Sequence, residues 1–121
     1  ERGRVMTEPL DKSITVPSGQ QVSFLDVVMN APGPDGATAR FRFVAPAIAQ
    51  EGFDVDAATA DMLALCQSYA LPRVIDSVPV PSQIVISLSD REVPFGEASP
   101  EVTQFFEAYR IENGTCIWEA F

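Results

Sequence analysis

Ser99–Phe121, SPEVTQFFEAYRIENGTCIWEAF, is the stretch whose reading decides the fold. It holds five of the eleven aromatic residues, one of the two cysteines and the clearest local punctuation in the chain. Ser99, Pro100 and Glu101 together make a helix opening: a side-chain acceptor, a residue tolerated at the first helical position, and a carboxylate at the positive end of the dipole. Val102, Phe105, Phe106 and Tyr109 follow at i, i+3, i+4 and i+7, one apolar helix face, with Thr103, Gln104, Glu107 and Arg110 opposite. Asn113-Gly114 supplies residues that tolerate positive φ, either as a helix stop or as a hairpin turn. Thr115–Phe121 is rich in β-branched and aromatic residues. The spacing predicts a helix, a turn and a closing strand.

Working back from there, Gln83–Ser89 (QIVISLS) reads as a strand with Ile84, Ile86 and Leu88 on one side. Pro72–Ser82 is proline-rich and irregular. Asp54–Ala70 (DVDAATADMLALCQSYA) reads as a helix capped by Asp54 or Asp56 and stopped by Pro72, with Met62, Leu65, Cys66 and Tyr69 on one face. In Thr38–Ala45, Phe41, Phe43 and Ala45 alternate with Arg40, Arg42 and Val44, and Val22–Met29 precedes that strand across the loop Asn30–Ala37. Ser13–Val16 is placed as a short edge strand before the turn Pro17-Ser18-Gly19, and residues 1–12 as a flexible lead. The expectation is one α+β domain over 13–121. Its mainly antiparallel sheet runs strand, strand, helix, strand, helix, strand, with both helices packed on one face. Periodicity leaves the strand order open.

At 121 residues and 46% hydrophobic, the chain can build a core without a metal. A net charge of −9 argues against nucleic acid and anionic lipid as partners, which need concentrated Lys and Arg. With no histidine, the commonest general base and the commonest zinc ligand are missing. No apolar run approaches the roughly 20 residues of a transmembrane helix. The opening Glu1-Arg2-Gly3-Arg4 carries no apolar signal core, as expected of a mature exported chain or of a fragment.

Several strings carry a likeness to a known family: VPSGQ at 16–20, ARFRFVAPAI at 39–48, DMLALC at 61–66, ALPRV at 70–74, IVISLSDR at 84–91, VPFG at 93–96 and TQFFEAYRIENGTCIWEAF at 103–121. Together they resemble a family of small, exported alphaproteobacterial proteins, a domain of unknown function. The resemblance implies no activity. An acetolactate synthase label attached to some members does not fit these residues. A thiamine-diphosphate enzyme needs a far longer chain and a Gly-Asp-Gly metal motif, and Pro34-Asp35-Gly36 reads as a turn.

Candidate sites follow from these elements. Cys66 and Cys116 can face the same core, as a disulfide or as two buried thiols, and an exported protein favours the disulfide. Asp54, Asp56 and Asp61 invite a calcium reading, yet Ala58, Thr59 and Leu65 stand where an EF-hand loop needs a ligand, a glycine and a carboxylate. Helix-cap acids account for them better, so no metal or cofactor is expected. Asn113-Gly114-Thr115 matches a glycosylation sequon that a tight turn also explains. Asp90, Glu92 and Glu97 form the alternative, a small acid-base hydrolase site.

If Cys116 points at Cys66, alternation sends Trp118 and Ala120 inward and Ile117, Glu119 and Phe121 outward. Arg40, Arg42, Val44, Val85 and Ser87 share that outer face, completed by Phe24, Asp26 and Val28. The leading expectation is therefore a non-enzymatic domain, periplasmic or secreted, that binds a protein partner or a second copy. Arg40, Arg42, Val85, Ile117, Glu119 and Phe121 would be its contact residues.

Overall fold

A computed structural model describes residues 14–31, 38–76, 80–92 and 101–119. Among these residues five strands form one sheet in the order β1-β2-β3-β4-β5: β1 Ser23–Ala31, β2 Thr38–Val44, β3 Gln83–Ser89, β4 Gln104–Glu112 and β5 Thr115–Glu119. Neighbours are antiparallel except β2 and β3, which are parallel because a helical crossover lies between them. The class is α+β with a mostly antiparallel sheet, as expected.

The second helix is not there: Gln104–Glu112 is strand β4. Phe105 and Tyr109 fit a period of 3.6, but with Glu107 and Ile111 they also fit a period of two, and local pattern cannot choose between the two. β3 makes the choice. All seven of its residues are buried, and a helix beside it would leave one row of its N–H and C=O groups without a ladder. β4 supplies that ladder over Gln83–Ser89. Asn113 (φ 53°) and Gly114 (φ 73°) then make a two-residue hairpin turn, both residues left-handed, which directs the chain straight back as β5.

The helix of the crossover opens at Asp54, whose side chain accepts from the Asp56 N–H at 3.0 Å. It continues as α1 Val55–Leu65, a wide π turn Cys66–Ala70 and α2 Leu71–Val74. Pro72 therefore does not end it. Proline has no N–H to donate, and its ring needs room at the carbonyl four residues back. The π turn, with Leu71 N–H donating to Cys66 C=O, opens the spiral just before Pro72.

This helix covers one sheet face, where Phe41, Phe43, Ile84, Ile86, Leu88 and Tyr109 are buried against Met62, Leu65 and Cys66. A register shift between Phe24 and Asp26 puts Phe24 on that same face, not on the outer one. Its ring lies 5.3 Å from Tyr69 and 5.9 Å from Phe43. Ile14–Val16 forms no strand, although Ile14 N–H donates to Val22 C=O; Ser13 and the lead at 1–12 lie outside the described residues.

Asp61 is not a cap. It sits in the interior of α1 with no exposure, and its carboxylate accepts from Ser18 N–H at 2.9 Å, from the Ser18 hydroxyl, and from Gln20 Nε2 at 2.7 Å. A buried carboxylate persists only with its lone pairs occupied, and the Ser18–Gln20 turn occupies them. Asp61 thus straps the segment before β1 to the helix.

Candidate functional site

The most constrained surface is the β4–β5 hairpin. Cys66 and Cys116 form a disulfide with their Cα atoms 6.3 Å apart, which fixes the π turn to the edge strand. Gln67, the next residue, makes a second clamp: Cys116 N–H donates to its Oε1 at 2.9 Å, and its Nε2 donates to Gly114 C=O at 3.2 Å. Side-chain amide and disulfide together shield the first half of an edge beyond which, among the described residues, no further strand lies.

Beyond that clamp the edge presents Trp118. Its parity is as expected, on the helix side with Cys116, but it is 56% exposed instead of buried. The helix is tied to β5 at Cys116, and Trp118, two residues on, lies outside the core cluster that the helix buries. The Trp118 indole N–H donates to Glu107, its diagonal neighbour on β4. Tyr109, directly across from Trp118, is 1% exposed with its hydroxyl buried and unpartnered among the described residues.

On the opposite face, Phe106 is 41% exposed and the Arg40 guanidinium lies over its ring, 5.5 Å from the centroid. Arg42 is mostly buried and paired two-pronged with Asp26, Nε to Oδ1 and NH2 to Oδ2 both at 2.6 Å. These bonds raise the Arg42 pKa, while burial and the nearby Arg42 charge lower that of Arg40. Arg110 lies 3.1 Å from Glu112 and 4.0 Å from Glu119. Val85, Ser87 and Ala108 are buried beneath this layer, so Val85 is not presented at the surface; Ile117 is half-buried. The sequence reading missed Phe106 and Trp118 because the first was assigned to a helix and the second to the core. Phe106 is exposed because β4 turns it to the face away from the helix, and Trp118 because it lies outside the cluster that the helix buries; no local signal carries either.

The Asp90 carboxylate of the alternative site is engaged by Arg91 at 3.2 Å, and Asp90 N–H donates to Thr103 C=O. Glu92 is exposed, and Glu97, Phe121 and Pro34-Asp35-Gly36 lie outside the described residues. Among the described residues no three acidic or thiol side chains are grouped as metal ligands, and no helix is long and apolar enough to cross a membrane.

Burial, with Glu107 nearby, raises the Tyr109 pKa well above that of a free phenol. A raised folded-state pKa means stability present below the unfolded value, near 10, and lost as pH rises above it. In an alkaline titration followed at 295 nm, one phenol should therefore ionise only with unfolding. Tyr109→Phe should remove that late component and leave stability unchanged or raised by about 1 kcal/mol, since it deletes a buried unpaired hydroxyl. A loss above about 2 kcal/mol in the same denaturant melts would show that the hydroxyl has a partner.

The geometry defines a small disulfide-linked α+β domain: a five-stranded mixed sheet, one covering helix and a clamped edge hairpin. A family model described as a family of unknown function, DUF6497, matches residues 3–121, and the chain belongs to that family. No curated protein and no solved structure matches it significantly.

Proposed function

We propose that this is a protein-binding accessory domain of the cell envelope, working outside the cytoplasm and doing no chemistry of its own. The observation that carries the reading is a rigidly fastened edge hairpin with large apolar side chains in solvent on both faces, Phe106 on one and Trp118 on the other. Exposed aromatics on a preorganised strand are what binding anchors are made of, because little side-chain freedom remains to be lost. The Cys66–Cys116 bond supports an oxidising compartment. Arg40 orients the partner, with Arg42 held by Asp26 beside it, Ile117, Phe106 and Phe121 supply apolar contact, and Glu119 borders them; Val85 supports the face from beneath.

The test is Phe106→Ser together with Ile117→Asp, verified as folded by circular dichroism. Cross-linking in intact envelopes should recover a specific partner with the wild type and at least about tenfold less with the double variant, the loss of roughly 1.4 kcal/mol or more. Equal recovery by both would end the reading.

A further inference from the structure

The Trp118 side of the hairpin allows the chemistry of a partner to be named. We propose that the Trp118 indole and the Glu107 carboxylate form a docking point for a lysine or arginine side chain, carried on a basic segment of a partner protein lying along the β5 edge. This rests on the reading of the domain as a binding protein and adds a second contact to it.

Three observations converge. First, Trp118 has a solvent-facing ring whose N–H is already held by Glu107, so its orientation is set before any ligand arrives. An indole face attracts cations most strongly of all the aromatic side chains, and the carboxylate beside it has further lone pairs for a cationic donor. Secondly, among the described residues no strand lies beyond β5 at this point. Cys116 N–H faces away from β4, because Gln67 Oε1 reaches it from that side, and two residues on Trp118 presents its own N–H and C=O in the same direction. An extended segment can therefore bond to the edge where the Gln67 clamp ends.

Thirdly, charge selects the occupant. The chain carries −9 overall, which steers basic partners toward it and makes a second copy a repelled one. Within the hairpin, Arg110 is placed with Glu112 and Glu119 on the outer face, so it does not neutralise Glu107 on the Trp118 face. A positive group has a complementary seat there.

The chain has a single tryptophan, so its fluorescence reports this site without a label. The probe is a short acetylated peptide of alternating lysine and threonine, with a glutamate-threonine peptide as control. The lysine peptide should change the emission saturably, and the glutamate peptide should not. Its affinity should fall between ionic strengths of about 0.02 M and 0.3 M. Glu107→Gln keeps an oxygen for the indole N–H and removes only the charge; it should weaken binding about five- to tenfold. By calorimetry, Trp118→Ala should abolish it.

Binding unchanged in Glu107→Gln overturns the proposal. So does saturation by a neutral oligosaccharide with no response to the lysine peptide. Dimerisation in the ultracentrifuge that Trp118→Ala removes also overturns it, by making a second copy the occupant. The envelope cross-link lost in the Phe106/Ile117 double variant is independent of all these. If it persists as a result while the lysine peptide fails, the cationic dock is wrong and the binding domain stands; if both fail, the binding reading goes too.

Discussion

Reducing the Cys66–Cys116 bond lowers the stability of the folded domain by up to about 4 kcal/mol, the chain-entropy value for a closed loop of its length. The separation is 50 residues, and the loop contains β3 and β4 together with their connections. Cutting it therefore frees the part of the chain whose two strands contribute the central ladder of the sheet. For a domain of this size the melting temperature should drop by roughly 10–15 °C. The reduced protein still has the Gln67 clamp, which holds the same two segments through two hydrogen bonds. That makes the drop a measure of the covalent link itself. Calorimetric melts with and without a phosphine reductant make the comparison, and superimposable traces would mean that the bond contributes nothing to the fold. The Trp118 site should respond as well, since β5 is then held to the helix by the amide alone.

The second large effect belongs to Asp61. Asp61→Ala should cost about 3 kcal/mol, because it removes the common acceptor of three hydrogen bonds and leaves the Ser18 N–H and the Gln20 amide facing an apolar helix surface. Asp61→Asn separates charge from shape. It keeps one acceptor oxygen but presents a donor where a second acceptor is needed, so it should recover less than half of the loss. Urea melts give both values. An alanine variant within about 0.5 kcal/mol of wild type would show that the Ser18–Gln20 strap is not part of the cooperative fold. Limited proteolysis gives a second readout: cutting near Gly19, which has φ +80° in an exposed turn, should accelerate in the variant while β3 stays protected.

Some features of this protein are properties of the sequence by itself. Gln83–Ser89 is a strand in almost any setting, since seven consecutive residues without a breaker, four of them aliphatic, have no better use than a buried sheet position. The Asp54 cap and the apolar face Met62, Leu65, Cys66 and Tyr69 are likewise local, resting on one side-chain acceptor and on a 3.6-residue spacing. The inward set Phe41, Phe43 and Ala45 follows from alternation within one strand. Asn113-Gly114 announces its turn because few other pairs accept two left-handed residues in a row.

What only tertiary structure decided are the cases where a local pattern had two solutions or a distant partner. Phe105 and Tyr109 satisfy helix and strand periods alike, and it was the bare edge of β3 that selected the strand. Pro72 stops a helix only if the turn before it is α, and the π turn that carries Cys66 to Cys116 removed the clash. Phe24 changed faces through a bulge in its pairing with β2. Asp61 became a strap through Ser18, 43 positions away in the chain. Trp118 shares the parity of Cys116 but not its burial. Alternation specifies which side of a sheet a residue takes, whereas burial depends on which residues the covering helix packs over, and that is a property of the assembled fold.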